Sequence, residues 1–343
     1  MKKIGILTGG GDAPGLNGII ESVCRCLLNQ DYEVIGIQDG FEGIYSGSFI
    51  KISETIIRGI HSQAGTLLGT SNKSSTKGRE EEFLRRYRAL NLDGLVVAGG
   101  DGTFSALKAF SKEIPMIGVP KTIDNDLPGT EVTFGYDTAC SVVSESVDAL
   151  RATAEAHRRI IIVETMGRTS GWIALGGGLA SFADVILIPE IPYDRKNLVR
   201  YVLEKKQAGH RGLMVVVSEG AVAQNESATI AFEVPGSPQA ERYGGVAANL
   251  ARWIEKEVDW EARHVVLGHL QRSRAPTTTD RFLTLSMGVL VAQMVQEKAW
   301  GQTVVYREGR VLRASLSELM APARLVPPDH RWIHLARALK IYI

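Results

Sequence analysis

Short runs of apolar, mostly β-branched residues alternate along the chain with longer segments in which apolar residues recur at the helical period. The apolar runs predict strands at residues 4–8, 33–37, 95–98, 116–119, 160–164, 185–188, 213–218 and 265–267. The helical period predicts helices at residues 16–28, 103–110, 138–156, 198–205, 246–258 and 282–297. Such alternation is typical of an α/β protein in which helices cover parallel sheets.

The length of the chain and one long helix bear on how these elements are grouped. A chain of 343 residues exceeds what one hydrophobic core usually serves. Strands in strict alternation with helices could close a barrel, but the helix that starts near Asp137 is unusually long and is typical of a crossing between lobes. We therefore expect two lobes, each with a mostly parallel sheet sandwiched by helices. The expected divisions are 1–137 plus 251–301 for the first lobe, 138–250 plus 302–319 for the second, and 320–343 for a C-terminal tail, with loops at 71–78 and 223–243.

The composition is that of a globular protein and argues against some classes of function. With 39 basic and 38 acidic side chains the net charge is +1, which disfavours a dedicated nucleic-acid or anionic-membrane surface. Cys24, Cys26 and Cys140 do not suit a disulfide framework or a metal site, so we expect buried thiols in a reducing compartment. No apolar run is long enough for a membrane span and the first residues lead directly into a strand, so a soluble, cytoplasmic protein is expected.

Glycine is the unusual part of the composition, with 36 residues of 343 against an ordinary share of about 7%. Many of these glycines, together with charged residues, follow directly after the predicted strands. The clusters lie at residues 9–18, 99–103, 120–126, 165–168, 219–220 and 268–272. Ligands of open parallel sheets collect beyond the carboxyl ends of the strands, so the clusters predict a binding site there.

Two of the clusters are glycine-rich turns that lead into helices. At residues 9–11 and 99–102, backbone N–H groups and a helix N-terminus could meet a phosphate with no Cβ in the way. Neither is a Walker loop, because no Gly-Lys-Ser/Thr follows, and the dinucleotide fingerprint fails because its last glycine would fall on Pro14. On the residues alone, tight strand-to-helix turns without any ligand explain these glycines equally well.

Charged residues in the other clusters favour a reaction on phosphate. Asp101 follows the second glycine turn, where a carboxylate suits Mg²⁺ bridged to a polyphosphate. Asp124 and Asp126 lie two residues apart on one loop, where one can act as the base and the other as a metal ligand or a supporting group. Exposed aspartates without a function are, however, common in turns. Four arginines near strand starts or ends would fit an anionic sugar phosphate, or simply lie on a solvated surface. They are Arg159, Arg168, Arg263 and Arg272. Together these residues predict phosphoryl transfer to a hydroxyl.

In their order along the chain, these clusters resemble the motifs of the 6-phosphofructokinase family, of the phosphofructokinase A type, over residues 4 to about 319. The matching runs are 8–17, 99–103, 122–126, 166–168, 218–221 and 267–272. The whole set is specific, whereas the run 99–103 alone is similar to one found in NAD kinases and diacylglycerol kinases. The resemblance implies a phosphofructokinase-like fold in which the first lobe binds the phosphoryl donor with Mg²⁺ and the second binds the sugar phosphate.

The resemblance also implies roles for individual residues. Asp124, helped by Thr122, would take the proton of the 1-hydroxyl of fructose 6-phosphate, while Asp101 would hold Mg²⁺ with support from Asp126. The implied catalytic set is Asp124, Thr122, Arg168, Gly102 and Lys121, and the implied donor-binding set is Gly10, Gly11, Asn72, Lys73, Asp101, Gly102 and Thr103. The implied sugar-binding set is Thr122, Ile123, Asp124, Met166, Gly167, Arg168, Glu219, His269, Leu270, Gln271 and Arg272, with Arg159 and Arg263 from a neighbouring subunit. The last pair implies a homo-oligomer, either a dimer or a tetramer.

Two residues bear on the identity of the phosphoryl donor, and they point in opposite directions. Gly102 is similar to the ATP users of the family, because the aspartate that pyrophosphate users typically have there would crowd and repel the α-phosphate of a nucleotide. Lys121 is similar to the pyrophosphate users. This combination of residues resembles the mixed-substrate subgroup of the family. We expect ATP to be the donor, because glycine at position 102 leaves room for the nucleotide and the flexible side chain of Lys121 need not exclude it. A pyrophosphate-dependent enzyme is the alternative.

Three departures from the family pattern limit what the resemblance implies. Asn72 replaces an arginine that contacts phosphate in many ATP users. Lys73 can substitute for that arginine, but its ammonium group cannot form the bidentate hydrogen bonds of a guanidinium group. Ser273 and Arg274 replace the usual glycines, which leaves the size of the accepted sugar open. Regulated bacterial members have basic residues at effector positions where this chain has Glu21, Glu54, Ala208 and His210. An anionic effector such as ADP or phosphoenolpyruvate should therefore bind poorly.

Other functions remain as alternatives to a sugar-phosphate kinase. An NAD or lipid kinase would explain 99–103 but leaves the runs 122–126 and 268–272 unexplained. A non-catalytic nucleotide or sugar-phosphate sensor on the same fold would bind without turnover, and the intact Asp101, Asp124 and Arg168 argue against it. A dehydrogenase is disfavoured by the failed dinucleotide fingerprint.

Overall fold

The computed structural model describes residues 2–71, 76–233 and 241–343, and in it the chain forms two lobes. The first part of the chain contains β1 (Lys3–Thr8), α1 (Leu16–Leu28), β2 (Glu33–Ile37), α2 (Phe41–Ser46), β3 (Phe49–Lys51), α3 (Glu54–Ile57), α4 (Glu80–Ala89), β4 (Gly94–Gly99), α5 (Asp101–Leu107) and β5 (Met116–Pro120). The middle part contains α6 (Tyr136–His157), β6 (Ile160–Thr165), α7 (Trp172–Ala180), β7 (Val185–Leu187), α8 (Arg195–Gln207), β8 (Leu213–Ser218), β9 (Ile230–Glu233), β10 (Glu241–Tyr243), α9 (Val246–Val258) and β11 (Ala262–Val266). The last part contains α10 (Thr278–Gln296), β12 (Gln302–Arg307), β13 (Arg310–Ser315) and α11 (Arg331–Ala338).

Each lobe is organised around one sheet. The first sheet has seven strands in the order β13-β12-β5-β4-β1-β2-β3, and only the two edge strands β3 and β13 are antiparallel to their neighbours. The second sheet has four parallel strands in the order β11-β6-β8-β7. Every residue of β4, β5, β6 and β8 is buried, as expected for parallel strands covered by helices on both faces. The expected α/β class with two open sheets is confirmed, and the barrel is excluded.

The boundaries between the lobes differ from the expected ones. Residues 302–315 were expected in the second lobe, but β12 pairs with β5 and so extends the first sheet. Residues 251–266 were expected in the first lobe, but β11 pairs with β6 in the second sheet. The pattern of buried residues shows that a segment is a strand but not which sheet it joins, which explains both errors.

Two segments of the chain are predicted to lack regular structure. The stretch 223–243 contains the antiparallel pair of β9 and β10 and is not a simple loop. The stretch 71–78 was also predicted as a loop, but residues 72–75 lie outside the described part of the chain.

The C-terminal segment is part of the second lobe and is not an appendage. Val326, Ile333 and Ala336 are buried in the same hydrophobic cluster as residues of α7 and β6. Next to β7, the backbone N–H of Ile186 donates to the carbonyl of Tyr342 over 2.8 Å. Within the described part of the chain, none of the helices is both long and apolar enough to cross a bilayer.

Candidate active site

The candidate active site lies where the carboxyl ends of the two sheets approach each other. The first lobe supplies the turns after β1, β4 and β5, and the second supplies those after β6, β8 and β11. The hydroxyl of Ser170, which follows β6, donates to the backbone carbonyl of Asp124, which follows β5, over 3.1 Å. The expected clusters at the strand ends are therefore assembled around Asp124.

The two glycine turns of the first lobe pack closely together because side chains are missing from them. A Cβ on Gly9 would lie 2.8 Å from the hydroxyl of Thr103, and a Cβ on Gly99 would lie 2.5 Å from the Cβ of Thr103. Gly10 has a φ of 78°, which favours glycine. Thr103 is buried between the two turns, so its side chain acts here as a spacer.

Gly102 differs from these crowded glycines. A Cβ added to Gly102 would meet no atom within 4 Å, and no positive φ restricts this position to glycine. The neighbouring Asp101 is exposed in the first turn of α5. The absence of a side chain at position 102 therefore leaves open space beside Asp101. The fold itself does not require a glycine at this position.

Lys121 links the end of β5 to the first glycine turn from a buried position. Its ammonium group donates to the carbonyl of Gly11, and the side chain is only 3% exposed. Burial lowers the pKa of Lys121 to about 8, and the positive charge of Arg272 adds to that shift. The carboxylates of Asp124, Asp12 and Asp126 oppose it. A cation is thus held at the base of the glycine turn.

Asp124 is the buried centre of the charged cluster. Burial raises its pKa, and the positive charges of Arg272, Lys121 and Arg168 oppose this rise. The carboxylate atom Oδ1 is buried and has no hydrogen-bond partner among the described residues. Buried carboxylate oxygens are normally hydrogen-bonded, so this atom is available to a ligand.

The backbone around Asp124 is held by its neighbours. The N–H of Asp124 donates to the hydroxyl of Thr122 over 3.1 Å. Asn125 has a φ of 53°, and its side-chain oxygen accepts from the N–H of Thr133 over 2.9 Å. The unusual backbone of Asn125 places Asp124 and Asp126 on a sharply turned loop.

Asp126 and Asp101 are candidates for holding a metal ion. Burial, together with the negative charges of Asp124 and Asp101, raises the pKa of Asp126 to about 7. No group of three or more His, Cys, Asp or Glu side chains able to hold a metal occurs among the described residues. Mg²⁺ is usually bound by one or two carboxylates together with phosphate oxygens and water. The residues therefore fit a magnesium ion that shares its coordination with a phosphate ligand.

The second lobe supplies a turn built on Arg168 and Glu219. The N–H of Arg168 donates to Oε1 of Glu219 over 2.9 Å, and burial raises the pKa of Glu219 to about 7. A Cβ on Gly220 would lie 1.9 Å from the carbonyl oxygen of Arg168, so only glycine permits this approach. Nε of Arg168 is buried without a hydrogen-bond partner among the described residues. The turn therefore presents one unpaired donor and one partly protonated carboxyl group near Asp124.

The short 3₁₀ helix at Gly268–Gln271 brings the last of the expected residues to this edge. Gln271 is fully buried and accepts from the N–H of Met166 over 3.3 Å, so it joins the two turns and does not face solvent. His269 is exposed, and Leu270 is 61% exposed. A Cβ on Gly11 would lie 2.6 Å from a guanidinium nitrogen of Arg272, which places Arg272 against the first glycine turn.

Arg159 and Arg263 are not brought to this edge. Both stand at the amino ends of parallel strands, Arg159 just before β6 and Arg263 at the second residue of β11. The six residues of β6 span roughly 20 Å at about 3.3 Å per residue, so the site lies at the opposite end. Both arginines pair with Glu261 on the surface of the second lobe. They cannot complete the site of their own chain.

Two departures from the expected pattern have a visible structural outcome. Arg274 pairs with Glu145 on α6 and is directed at that helix. Glu21 is buried, and its carboxylate accepts from the N–H groups of Gly59 over 3.1 Å and His61 over 2.9 Å. Burial alone would raise the pKa of Glu21, but these hydrogen bonds outweigh it and lower the pKa. An internal carboxylate thus occupies these backbone donors.

Several contributing residues were not found from the sequence, and two expected ones cannot be placed. Ser170, Asn125 and Arg324 all bind the backbone of the Asp124 loop. Asn125 stands inside the recognised run and could have been selected as a residue that tolerates positive φ. Arg324 lies about two hundred residues away along the chain, so no local signal indicates it. Asn72 and Lys73 lie outside the described residues.

Comparison with known proteins gives matches along the whole chain. A family profile described as phosphofructokinase matches residues 3–295. The protein named ATP-dependent 6-phosphofructokinase 2 of Clostridium perfringens is 39% identical over 358 residues, covering 99% of this chain and 98% of that protein. The ATP-dependent 6-phosphofructokinase of Mycobacterium tuberculosis is 40% identical over 332 residues, covering 95% of this chain and 96% of that protein.

Solved structures show the same architecture. The chain superposes on phosphofructokinase from Saccharomyces cerevisiae with a TM-score of 0.80 at 29% identity, over 93% of this chain and 45% of the yeast chain, so it spans less than half of that protein. It also superposes on the pyrophosphate-dependent phosphofructokinase from Marinobacter aquaeolei with a TM-score of 0.84 over 100% of this chain and 88% of that chain. The identity in the second case is 23%, and that likeness concerns the fold alone.

Proposed function

The chain belongs to the phosphofructokinase family, and on that premise we propose that it transfers a phosphoryl group from Mg-ATP to the 1-hydroxyl of fructose 6-phosphate. The products are fructose 1,6-bisphosphate and ADP, and the reaction is a step of glycolysis. The observation that carries the proposal is Asp124, whose buried and unpaired Oδ1 lies in a cluster with Arg272, Lys121 and Arg168. A proton acceptor flanked by cations at the junction of two lobes is what transfer between two anionic substrates requires.

Asp124 takes the proton of the attacking hydroxyl in this mechanism. Burial raises the pKa of Asp124 and so makes it a stronger base than an exposed carboxylate, while the surrounding cations favour its charged form. The backbone N–H of Asp124 donates to the hydroxyl of Thr122, which fixes the backbone from which the carboxylate extends. The same cations stabilise the negative charge on the oxygens of the transferred group.

Asp101 and Asp126 would hold Mg²⁺ together with the donor phosphates, where the ion neutralises charge on the phosphate oxygens. The glycine turns that contain Gly10, Gly11 and Gly102 would receive those phosphates through backbone N–H groups. Lys121 places its positive charge beside the same turn. Thr103 contributes by spacing the two turns apart.

The second lobe and its turns would bind the sugar phosphate. Met166, Gly167, Arg168 and Glu219 form the turn next to Asp124, where a hydroxyl of the sugar can bond to the carboxyl of Glu219. His269 and Arg272 are proposed to hold the 6-phosphate, since the His269 side chain is exposed and Nε of Arg272 has no hydrogen-bond partner among the described residues. Ile123, Leu270 and Gln271 shape the wall and the backbone of this pocket.

The test of the function is a coupled assay with fructose 6-phosphate and Mg²⁺ that compares ATP with pyrophosphate in both directions. We expect turnover with ATP, because the open space at Gly102 admits a nucleotide. A pyrophosphate-dependent reaction is the second candidate, favoured by the buried cation Lys121 beside the glycine turn. Binding of both substrates without turnover would instead identify a sensor and reject the enzyme.

The site is proposed to be completed by a second copy of this chain in a dimer or tetramer. Arg159 and Arg263 lie at the wrong end of their strands to serve their own site, yet both are partly exposed. Large apolar side chains are exposed on β11, the following 3₁₀ helix and α10, namely Val266, Leu270, Phe282, Leu285 and Val289. An exposed apolar surface of this kind is typical of an interface. We place this assembly in the cytoplasm, where free thiols such as those of Cys24, Cys26 and Cys140 persist.

Mixing two inactive variants tests the shared site. In Asp124→Asn the base is lost, and in Arg263→Ala a guanidinium for the neighbouring 6-phosphate is lost. A mixed dimer then contains one site with Asp124 from one chain and Arg263 from the other, so random mixing at equal amounts should restore about a quarter of wild-type activity. The control is wild type mixed with the double variant, which should show no gain over the wild-type homodimers present. Activity that never exceeds the sum of the separate variants would contradict a shared site.

Regulation by anionic effectors should be weak. The N–H groups of Gly59 and His61 are already bonded to the buried carboxylate of Glu21, which also pairs with Arg25 and the His61 ring, so these donors are not available to another anion. We expect saturating phosphoenolpyruvate or ADP to change the affinity for fructose 6-phosphate by less than about fivefold, the low end of allosteric coupling. Steady-state kinetics with and without each effector measure this, and strong cooperative inhibition by phosphoenolpyruvate would show the expectation to be wrong.

A further inference from the structure

Arg324 lies after the last strand of the first sheet, and its contacts reach the loop that carries Asp124 and Asp126. Its backbone N–H donates to the carbonyl of Asp126 over 2.7 Å. One guanidinium nitrogen donates to the carbonyls of Asn125 over 3.0 Å and Glu131 over 2.8 Å. Three backbone carbonyls of one loop are thus bonded to a single residue from a distant part of the chain.

The same residue is anchored to the second lobe. Its guanidinium carbon lies 4.3 Å from the ring centroid of Trp172, the first residue of α7, and the indole N–H donates to the carbonyl of Arg324 over 2.9 Å. Two residues later, the N–H of Val326 donates over 2.9 Å to Glu190, whose carboxylate also accepts from Gly171. Arg324 therefore connects the loop of the first lobe to the start of α7.

Partial burial of the charged guanidinium group of Arg324 costs free energy, so a role in packing alone does not explain it. Arg324 is half-buried, and Nε has no hydrogen-bond partner among the described residues. Among the described residues, the hydrogen bonds of its guanidinium group are to backbone carbonyls and not to a carboxylate. Burial lowers the pKa of Arg324, while the negative charges of Asp126 and Glu131 oppose that shift. Within the described part of the chain, the hydrogen bonds of this guanidinium group go to carbonyls of the loop, which indicates that the charge maintains the geometry of the loop.

We propose that Arg324 is a positioning residue that holds the Asn125–Asp126 backbone against Trp172 and so aligns both aspartates with groups of the second lobe. The proposal rests on the proposed function, because alignment matters only if the two lobes bind the two substrates. Arg324 touches no reacting atom and acts through the loop. Misplacement of a catalytic group by about 1 Å can lower the rate 100-fold, so loss of this anchor should reduce turnover more than binding.

The experiment compares Arg324→Met, Arg324→Lys and the control Arg331→Met in the full-length protein. Methionine keeps an apolar stem over Trp172 but removes the bonds to the carbonyls, and Arg331 is exposed in the same segment. We expect Arg324→Met to lower kcat by about 10- to 100-fold with each KM within about twofold of wild type. Lysine should restore part of the loss, because one ammonium can donate to both carbonyls from a slightly shorter stem. Arg331→Met should behave as wild type.

Amide hydrogen exchange of residues 122–133 gives a readout that does not depend on turnover. We expect faster exchange in Arg324→Met across this segment, including the N–H of Thr133, and unchanged exchange in Arg331→Met. Wild-type kcat together with wild-type exchange in a folded Arg324→Met would overturn the proposal. If that variant does not fold, Arg324→Gln decides, because its shorter and neutral amide lacks the charge and the reach of the guanidinium: reduced kcat at unchanged KM supports the proposal, and wild-type kcat rejects it. Failure of the wild type itself to phosphorylate fructose 6-phosphate rejects the proposed function, while the exchange result still judges the anchor.

Discussion

Replacing Asp124 by Asn should lower kcat by about 1,000-fold, within the range known for loss of a positioned base. The side-chain amide has nearly the shape of the carboxyl group, and the backbone N–H keeps its bond to Thr122, but the amide cannot accept the hydroxyl proton. Because Asp124 lies on the loop after β5 and not in the glycine turns that are proposed to bind the donor phosphates, the affinity for the nucleotide should change little. Steady-state kinetics and nucleotide binding by calorimetry measure the two effects separately.

The matched control for this variant is Asp148→Asn, which removes one carboxylate from the exposed face of α6. It should leave kcat, binding and thermal unfolding unchanged. A residual rate in Asp124→Asn above about one tenth of wild type would show that another group accepts the proton. Loss of nucleotide binding together with turnover would show that Asp124 holds the cluster together and is not specifically the base.

Replacing Gly102 by Asp should change the preference for the phosphoryl donor. A carboxylate there would face the α-phosphate of a nucleotide, and two unit charges about 4 Å apart at an effective dielectric constant near 20 repel by about 4 kcal/mol. We expect this repulsion to lower kcat/KM for ATP by about 1,000-fold, with a much smaller change for pyrophosphate, which has no α-phosphate at that place. Kinetics with both donors at saturating fructose 6-phosphate measure the ratio.

Gly102→Ala separates charge from bulk in this experiment. A Cβ at position 102 meets no protein atom within 4 Å, so the alanine variant should fold and turn over ATP nearly as wild type. Thermal unfolding should be the same for the alanine and aspartate variants. An unchanged donor ratio in Gly102→Asp would refute the account of donor choice, and an equal loss in both variants would assign the effect to bulk.

Local patterns in the sequence were sufficient for most elements and for the loops of the site. Strands appear as short apolar runs, so 33–37 and 213–218 are predicted with the bounds of the partly buried β2 and the fully buried β8. The motif residues around Asp124 follow directly after strands, and parallel pairing brings such positions to one edge. Site residues that directly follow a strand in the sequence were therefore predictable.

Features that depend on contacts between distant segments were not predictable. Helix α7 was missed because it contains three consecutive glycines, which are poor helix formers. Packing explains them: a Cβ on Gly176 would lie 2.5 Å from the hydroxyl of Tyr136, and one on Gly177 would lie 2.5 Å from Val143. Likewise, the pairing of β12 with β5 and the position of Arg324 follow from the folded chain and from no local pattern.

The chain passes between the lobes three times: through the segment that leads into α6, between β11 and α10, and after the 3₁₀ helix at Leu316–Met320. Two connections leave the lobes a hinge axis that runs through them, and a third connection adds a further restraint on how far the lobes can swing apart. We therefore expect the gap between the lobes to change by a small relative rotation and not by a wide hinge opening. Access for substrates must then depend on the movement of loops and of side chains at the rim.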